Sequence, residues 1–263
     1  MPRSCDASPD PAGRASLEVG VVRVWLLDPD ACSERELADC EALLDAGERA
    51  RAARLARSTS HRSFVAAHAL ARRSLSRCAP VAPSAWRFAA RPGGRPELAG
   101  PAEGAGLRFN LSHTDGLAAC AVARDVDVGV DVEAGARVRR PLALAERFFA
   151  PEEASALRGL PEAAQSDRFL ALWVAKEAVL KARGVGIAGG LATVRLAPEG
   201  SGFALVASGE RDGGPGAWQL ALVRPTPLHA LAVAARRGAG APLRFTVAFE
   251  SGRALPLDGA TGT

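Results

Sequence analysis

Three carboxylates carry the clearest chemical signal in this sequence. Asp131 and Glu133 lie in VDVGVDVE, residues 126–133, where residue character alternates without a break. Val126, Val128, Val130 and Val132 fall on one side, and Asp127, Gly129, Asp131 and Glu133 on the other, the period of a half-buried β-strand. Two carboxylates close together on one face disfavour joint ionisation unless a cation sits between them. A lone pair of this kind is more often a solvated strand face, so it needs support from elsewhere in the chain. Glu177, in the helical pattern WVAKEAVLK, supplies a third carboxylate. Three hard oxygen ligands suit Mg²⁺, which keeps waters and shares substrate phosphate oxygens. They do not suit zinc, which prefers nitrogen and sulfur. Lys176 and Lys181 are the only lysines in an arginine-rich chain, and either can neutralise a phosphate beside a metal. Lys181, four residues after Glu177, shares its helix face. The pattern therefore points to Mg²⁺ and a phosphate-bearing substrate, and leaves the reaction open. A metal-dependent nuclease or phosphohydrolase uses similar parts. No Walker A loop or Rossmann glycine fingerprint is present.

Elements that must hold these residues can be read in order. Residues 17–27 read as a strand, and 33–44 as a helix with Ser33 as N-cap and Glu36 as its capping-box partner. Residues 45–77 are strongly basic and keep helical spacing at Phe64, Ala67, Ala71 and Leu75. Most of their arginines read as a solvated face, with a minority free to converge on phosphate. Gly93–Pro96 is a turn presenting Arg95. Residues 107–111 and 117–123 form a hairpin whose loop displays Ser112 and His113. Helices follow at 141–149 and 151–160, each opened by proline, and at 165–182, stopped by Gly184. Strands are expected near 191–197, 202–208, 217–224, 228–235 and 243–249.

Composition sets wider bounds. The chain has 263 residues, 48% hydrophobic and 24% charged, enough for one large domain or two small ones with a sizeable core. No apolar run is long enough to span a bilayer, and residues 1–16 lack the apolar middle of a signal peptide. A cytoplasmic protein is expected. The five cysteines are scattered and odd in number, which argues against a disulfide framework or a zinc site and for buried thiols. The net charge of +4 favours an acidic partner. With 5% aromatics and no tyrosine, a nucleic-acid-binding module is a weak alternative.

Five motifs now fall into order: GRPEL (94–98), FNLSHT (109–114), VGVDVE (128–133), RFF (147–149) followed by Glu152 or Glu153, and WVAKEAVLKARGVGI (173–187). Together they resemble the 4′-phosphopantetheinyl transferase superfamily, in its longer, pseudo-dimeric type. The resemblance covers roughly residues 48–190. It implies an α+β fold of two similar α/β subdomains related by a pseudo-two-fold, with coenzyme A and Mg²⁺ in the cleft between them. The division expected is a disordered lead-in at 1–16, an N-terminal subdomain at 17–124, a C-terminal subdomain at 125–250 that residues after about 190 complete, and a frayed tail at 251–263. The reaction implied moves 4′-phosphopantetheine from coenzyme A to a serine of an apo acyl or peptidyl carrier protein and releases 3′,5′-ADP. By matched position, Asp131, Glu133 and Glu177 are metal ligands and Lys181 contacts phosphate. Ser112, His113, Arg95, Arg62 within HRS and, more loosely, Arg49 are coenzyme A contacts. Glu177 or a carboxylate-held water takes the serine proton. Carrier proteins of this class present an acidic helix, so a basic enzyme favours encounter. The expected protein is a monomer without nucleic-acid or membrane partners. Val174 and Thr114 depart from the family pattern, and neither is expected to touch a presumed ligand.

Overall fold

A computed structural model describes residues 17–55, 58–90, 96–185, 190–200, 202–208, 214–237, 241–251 and 254–255. One order of elements occurs twice. The first pass runs β1 (Val21–Leu27), α1 (Glu34–Ala42), α2 (Ala46–Ala52), α3 (Ser58–Ser76), β2 (Arg87–Ala90), β3 (Pro96–Gly100), β4 (Leu107–Thr114) and β5 (Leu117–Arg124). The second runs β6 (Val128–Ala134), α4 (Pro141–Phe148), α5 (Pro151–Arg158), α6 (Glu162–Arg183), β7 (Val194–Glu199), β8 (Gly202–Ser208), β9 (Trp218–Thr226) and β10 (His229–Arg236). In each, the last hairpin folds back on the first strand, giving β1-β5-β4 and β6-β10-β9, while β2-β3 and β7-β8 stay separate hairpins. The result is α+β, two similar halves, as the motifs implied.

Alternation along the strands explains the layering. Val22, Val24 and Leu26 of β1 share one core with Val128, Val130 and Val132 of β6, so the two sheets meet face to face. Each fully buried valine there contributes roughly 1.5–3 kcal/mol. The other faces are covered by helices. On β5, Ala119 and Ala121 point to the shared core, whereas Ala118, Cys120 and Val122 pack with Leu70, Ala71 and Leu75 of α3. On β10, Leu231 and Val233 point to the shared core, and Ala230, Ala232 and Ala234 pack with α6.

Helix ends follow the local chemistry. Ser33 and Glu36 form the expected capping box of α1. The basic segment 45–77 holds α2 and α3; a second capping box, Asp45 with Glu48, starts α2, and its hydrogen bonding closes by Leu55. α6 stops at Gly184, whose φ of 73° is left-handed and suits glycine.

Two expectations are corrected. The strand read as 107–111 runs to Thr114, so Ser112 and His113 lie within β4 and not in its loop. The strand expected at 243–249 exists as β11 (Arg244–Phe249), but it does not complete the second half. It pairs in parallel with β1 of the first half, with β12 (Ala254–Leu255) beside it. β5 covers only one edge of β1, and β11 satisfies the other while burying Phe245 and Val247. Cys40, Cys78 and Cys120 are buried free thiols, and burial pushes Cys78 up to about 12. No helix among the described residues is long and apolar enough to cross a membrane.

Candidate active site

β4 and β6 are edge strands of different sheets, and side chains bridge them. Asn110 Oδ1 accepts the Val130 N–H at 2.9 Å, and Ser112 Oγ accepts the Val132 N–H at 3.3 Å. Thr114 Oγ1 donates to Glu133 Oε2 at 3.1 Å. Asn110, Ser112 and Thr114 recur every second residue, so one face of β4 makes these three contacts. All three are buried, where an unmet polar group is costly, so the bridging is strongly specified.

α6 closes the site from the opposite side. Gly129 lets it approach: a Cβ there would lie 2.0 Å from the Ala178 carbonyl oxygen and 2.4 Å from the Ala182 nitrogen. This contact sets one turn of α6 against the carboxylate face of β6. Lys181 Nζ then reaches Asp131 Oδ1 at 2.6 Å and Ser112 Oγ at 2.9 Å, while Ser112 also donates to Asp131 Oδ1 at 2.9 Å. Asp131 and Glu177 are both nearly buried. Burial, reinforced by Asp131 and Glu133 and opposed by Lys181, pushes the Glu177 carboxyl up to about 7.

The two lysines separate cleanly. Five residues apart on an α-helix means about 140° around the axis, so they face different surroundings. Lys176 is fully buried and donates to Glu153 Oε2 at 2.6 Å, to the Leu191 carbonyl at 3.1 Å and to the Val194 carbonyl. It is a structural tie, and Lys181 alone faces the carboxylates. Glu153, the acid after RFF, also caps α5 and accepts the Leu196 N–H at 2.9 Å.

The remaining expected residues are spread out. His113 is exposed on β4, next to buried Ser112. Arg62 donates to Glu34 at 2.6 Å and to the carbonyls of Pro29 and Cys32, and Arg49 donates to the Leu44 carbonyl. Arg95 lies outside the described residues. Sequence reasoning missed four contributors. Asn110 and Gly129 sit inside the quoted motifs, and their period-two spacing with Ser112 and Asp131 was the available signal. Thr114, expected to touch no presumed ligand, binds Glu133. His229 is buried between Thr226 Oγ1 at 2.7 Å and the Asp115 carbonyl at 2.8 Å, joining a turn of one half to a turn of the other.

Can this cluster take a metal? Among the described residues no three acid, histidine or cysteine side chains yet converge closely enough to cage an ion. The donor chemistry nonetheless fits a hard divalent cation. Asp131 Oδ2 and Glu177 Oε1 are buried and find no hydrogen-bond partner among the described residues. Two such acceptors beside a third carboxylate call for positive charge beyond what Lys181 brings.

The chain is similar to several known proteins. The family model described as the 4′-phosphopantetheinyl transferase superfamily matches residues 127–234. The 4′-phosphopantetheinyl transferase HetI of Nostoc sp. is 37% identical over 167 residues, 64% of this chain and 70% of that protein. A putative 4′-phosphopantetheinyl transferase of Synechocystis sp. is 33% identical over 169 residues, 64% of this chain and 67% of that protein. A holo-(acyl-carrier-protein) synthase of Bacillus anthracis, solved in complex with CoA (3′,5′-ADP), overlaps 43% of this chain and 96% of its own, at 21% identity and a TM-score of 0.37.

Proposed function

The chain belongs to the 4′-phosphopantetheinyl transferase superfamily, and we propose that it carries out that family's transfer from coenzyme A to a carrier-protein serine. The serine oxygen bonds to the phosphorus that carries the pantetheine arm. The bond from that phosphorus to the bridging pyrophosphate oxygen breaks, and 3′,5′-ADP departs. The observation that carries this reading is the cluster of buried Ser112, Asp131 and Glu177 with partly buried Lys181, in which two carboxylate oxygens lack hydrogen-bond partners among the described residues.

Roles are assigned as follows. Asp131, Glu133 and Glu177 would hold Mg²⁺, which when bound supplies charge stabilisation at the pyrophosphate oxygens. Lys181 is held by Asp131 and Ser112 where it can offset negative charge on the departing oxygen. Glu177 or a water held by one of these carboxylates takes the serine proton. His113, Arg49, Arg62 and Arg95 are the coenzyme A contacts, and Arg62 must yield part of its hold on Glu34 to serve. The working division is 17–124 and 125–250, with β11 exchanged into the first half and the site between them.

The protein incubated with coenzyme A, Mg²⁺ and a panel of apo carrier proteins should add one phosphopantetheine mass to at least one carrier. Carriers left unmodified, while a known transferase modifies the same panel, would refute the reading. A phosphohydrolase would instead release 3′,5′-ADP from coenzyme A without an acceptor.

A further inference from the structure

We propose that Thr114 is a positioning residue that orients the Glu133 carboxylate for the metal; this rests on the metal reading above. Glu133 is only half-buried and is the penultimate residue of β6, and its long side chain has several rotamers open to it. Thr114 restricts that choice. Its hydroxyl donates to Glu133 Oε2 at 3.1 Å, and the residue is 3% exposed. A β-branched side chain in a strand is stiff about χ1, so the hydroxyl is itself held in place.

The strand behind it is fixed by two further contacts. Asn110 to Val130 and Ser112 to Val132 keep β4 and β6 in one register, each spanning 20 residues of sequence. His229, hydrogen-bonded to the Asp115 carbonyl, pins the residue after Thr114 from the other half. Thr114 therefore sits between two anchored points. Its donated hydrogen bond engages Oε2 and so fixes one end of the Glu133 carboxylate. The metal-orienting hydroxyl is thus supplied by the first half of the molecule to a carboxylate of the second.

The test is titration calorimetry of Mg²⁺ into the full-length protein with coenzyme A present. Thr114→Val should weaken Mg²⁺ binding about 10-fold, and Thr114→Ser should restore most of it. The KM for Mg²⁺ should rise in parallel, while the KM for coenzyme A at saturating Mg²⁺ should stay at the wild-type value. Glu133→Gln in the same titration separates the two ideas. If Glu133→Gln weakens binding but Thr114→Val does not, the positioning role is wrong and the metal reading stands. If Glu133→Gln leaves binding unchanged, the assignment of Glu133 to the metal fails first, and the positioning role with it. Equal loss in Thr114→Val and Thr114→Ser also overturns the proposal, because then the hydroxyl is not what matters. Should Thr114→Val fail to fold, Thr114→Ala asks the same question.

Discussion

The two halves share one design and differ in what they do with it. Each buries an acid on its short second helix against a cation on its long third helix. In the first half, Glu48, the third residue of α2, pairs with Arg72 at 2.6 Å, and Arg72 donates to the Trp86 carbonyl at 2.7 Å just before β2. In the second, Glu153, the third residue of α5, pairs with Lys176 at 2.6 Å, and Lys176 donates to Leu191 and Val194 at the start of β7. Each cation also lies over a ring, Arg72 over Phe88 and Lys176 over Phe149.

From that shared tie the halves diverge. The residues one and five places further on are Arg73 in α3 and Arg77 just after its end, but Glu177 and Lys181 in α6. Pairing with β5 and β10 sets Trp25 of β1 at the place of Asp131 in β6, and Arg23 at the place of Gly129. Arg77 lies over the Trp25 ring at 5.9 Å, where Lys181 meets Asp131. Glu250, just after β11, takes up both arginines at 3.3 Å. The first half has an ion-paired lock where the second has a cluster of acids in want of charge. The lesson is that one scaffold tolerates either content at this spot, and chemistry follows the residues that face the third helix.

Substitutions at matched places should break the comparison if it is wrong. The largest effect belongs to Asp131→Ala and Glu177→Ala, which should lower the transfer rate by at least roughly 10³-fold with the fold intact by circular dichroism. Arg73→Ala and Arg77→Ala should leave turnover close to wild type, and a comparable loss there would end the claim that only one half is chemical. Next come the buried ties. Glu48→Gln and Glu153→Gln should each cost about 3–5 kcal/mol in urea unfolding, since each removes the nearest carboxylate from a buried cation. A much smaller cost in one of them would show that the ties are not equivalent.

Acid should discriminate further. Burial pushes the Glu48 carboxyl up, but hydrogen bonds from His68, the Asp45 N–H and Arg72 outweigh it and hold the group at about 2, against 4.5 when unfolded. Its folded pKa is depressed, so its stabilisation is fully present above about 4.5 and is lost as pH falls toward 2. Unfolding midpoints measured across that window should drop for the wild type and stay flatter for Glu48→Gln. Gly129→Ala should cost about 1–3 kcal/mol and reduce activity, because the new methyl drives α6 off β6. Smallest is Glu250→Gln, which should cost about 1 kcal/mol or less, since its arginine partners are partly exposed, without changing turnover.

Local pattern was enough for much of this. The alternation around Asp131 put its carboxylate opposite the valines, and the four-residue step from Glu177 to Lys181 put both on one helix face. Caps and glycine stops marked α1 and α6 because hydrogen bonds within a few residues decide them. The resemblance of five ordered motifs then supplied the family and the reaction. What local pattern could not reveal was which distant group each buried polar atom would find. Asn110 and Thr114 matter only because β4 and β6 end as facing edges of separate sheets. Lys176 looked as eligible as Lys181 until the fold set Glu153 against it, 23 residues away. β11 read as a strand from its own residues, yet its place beside β1 depended on which sheet had an edge left open. Periodicity along the chain determines which way a side chain points, whereas edge pairing and the satisfaction of buried charge determine what it meets, and those exist only once the whole chain has packed.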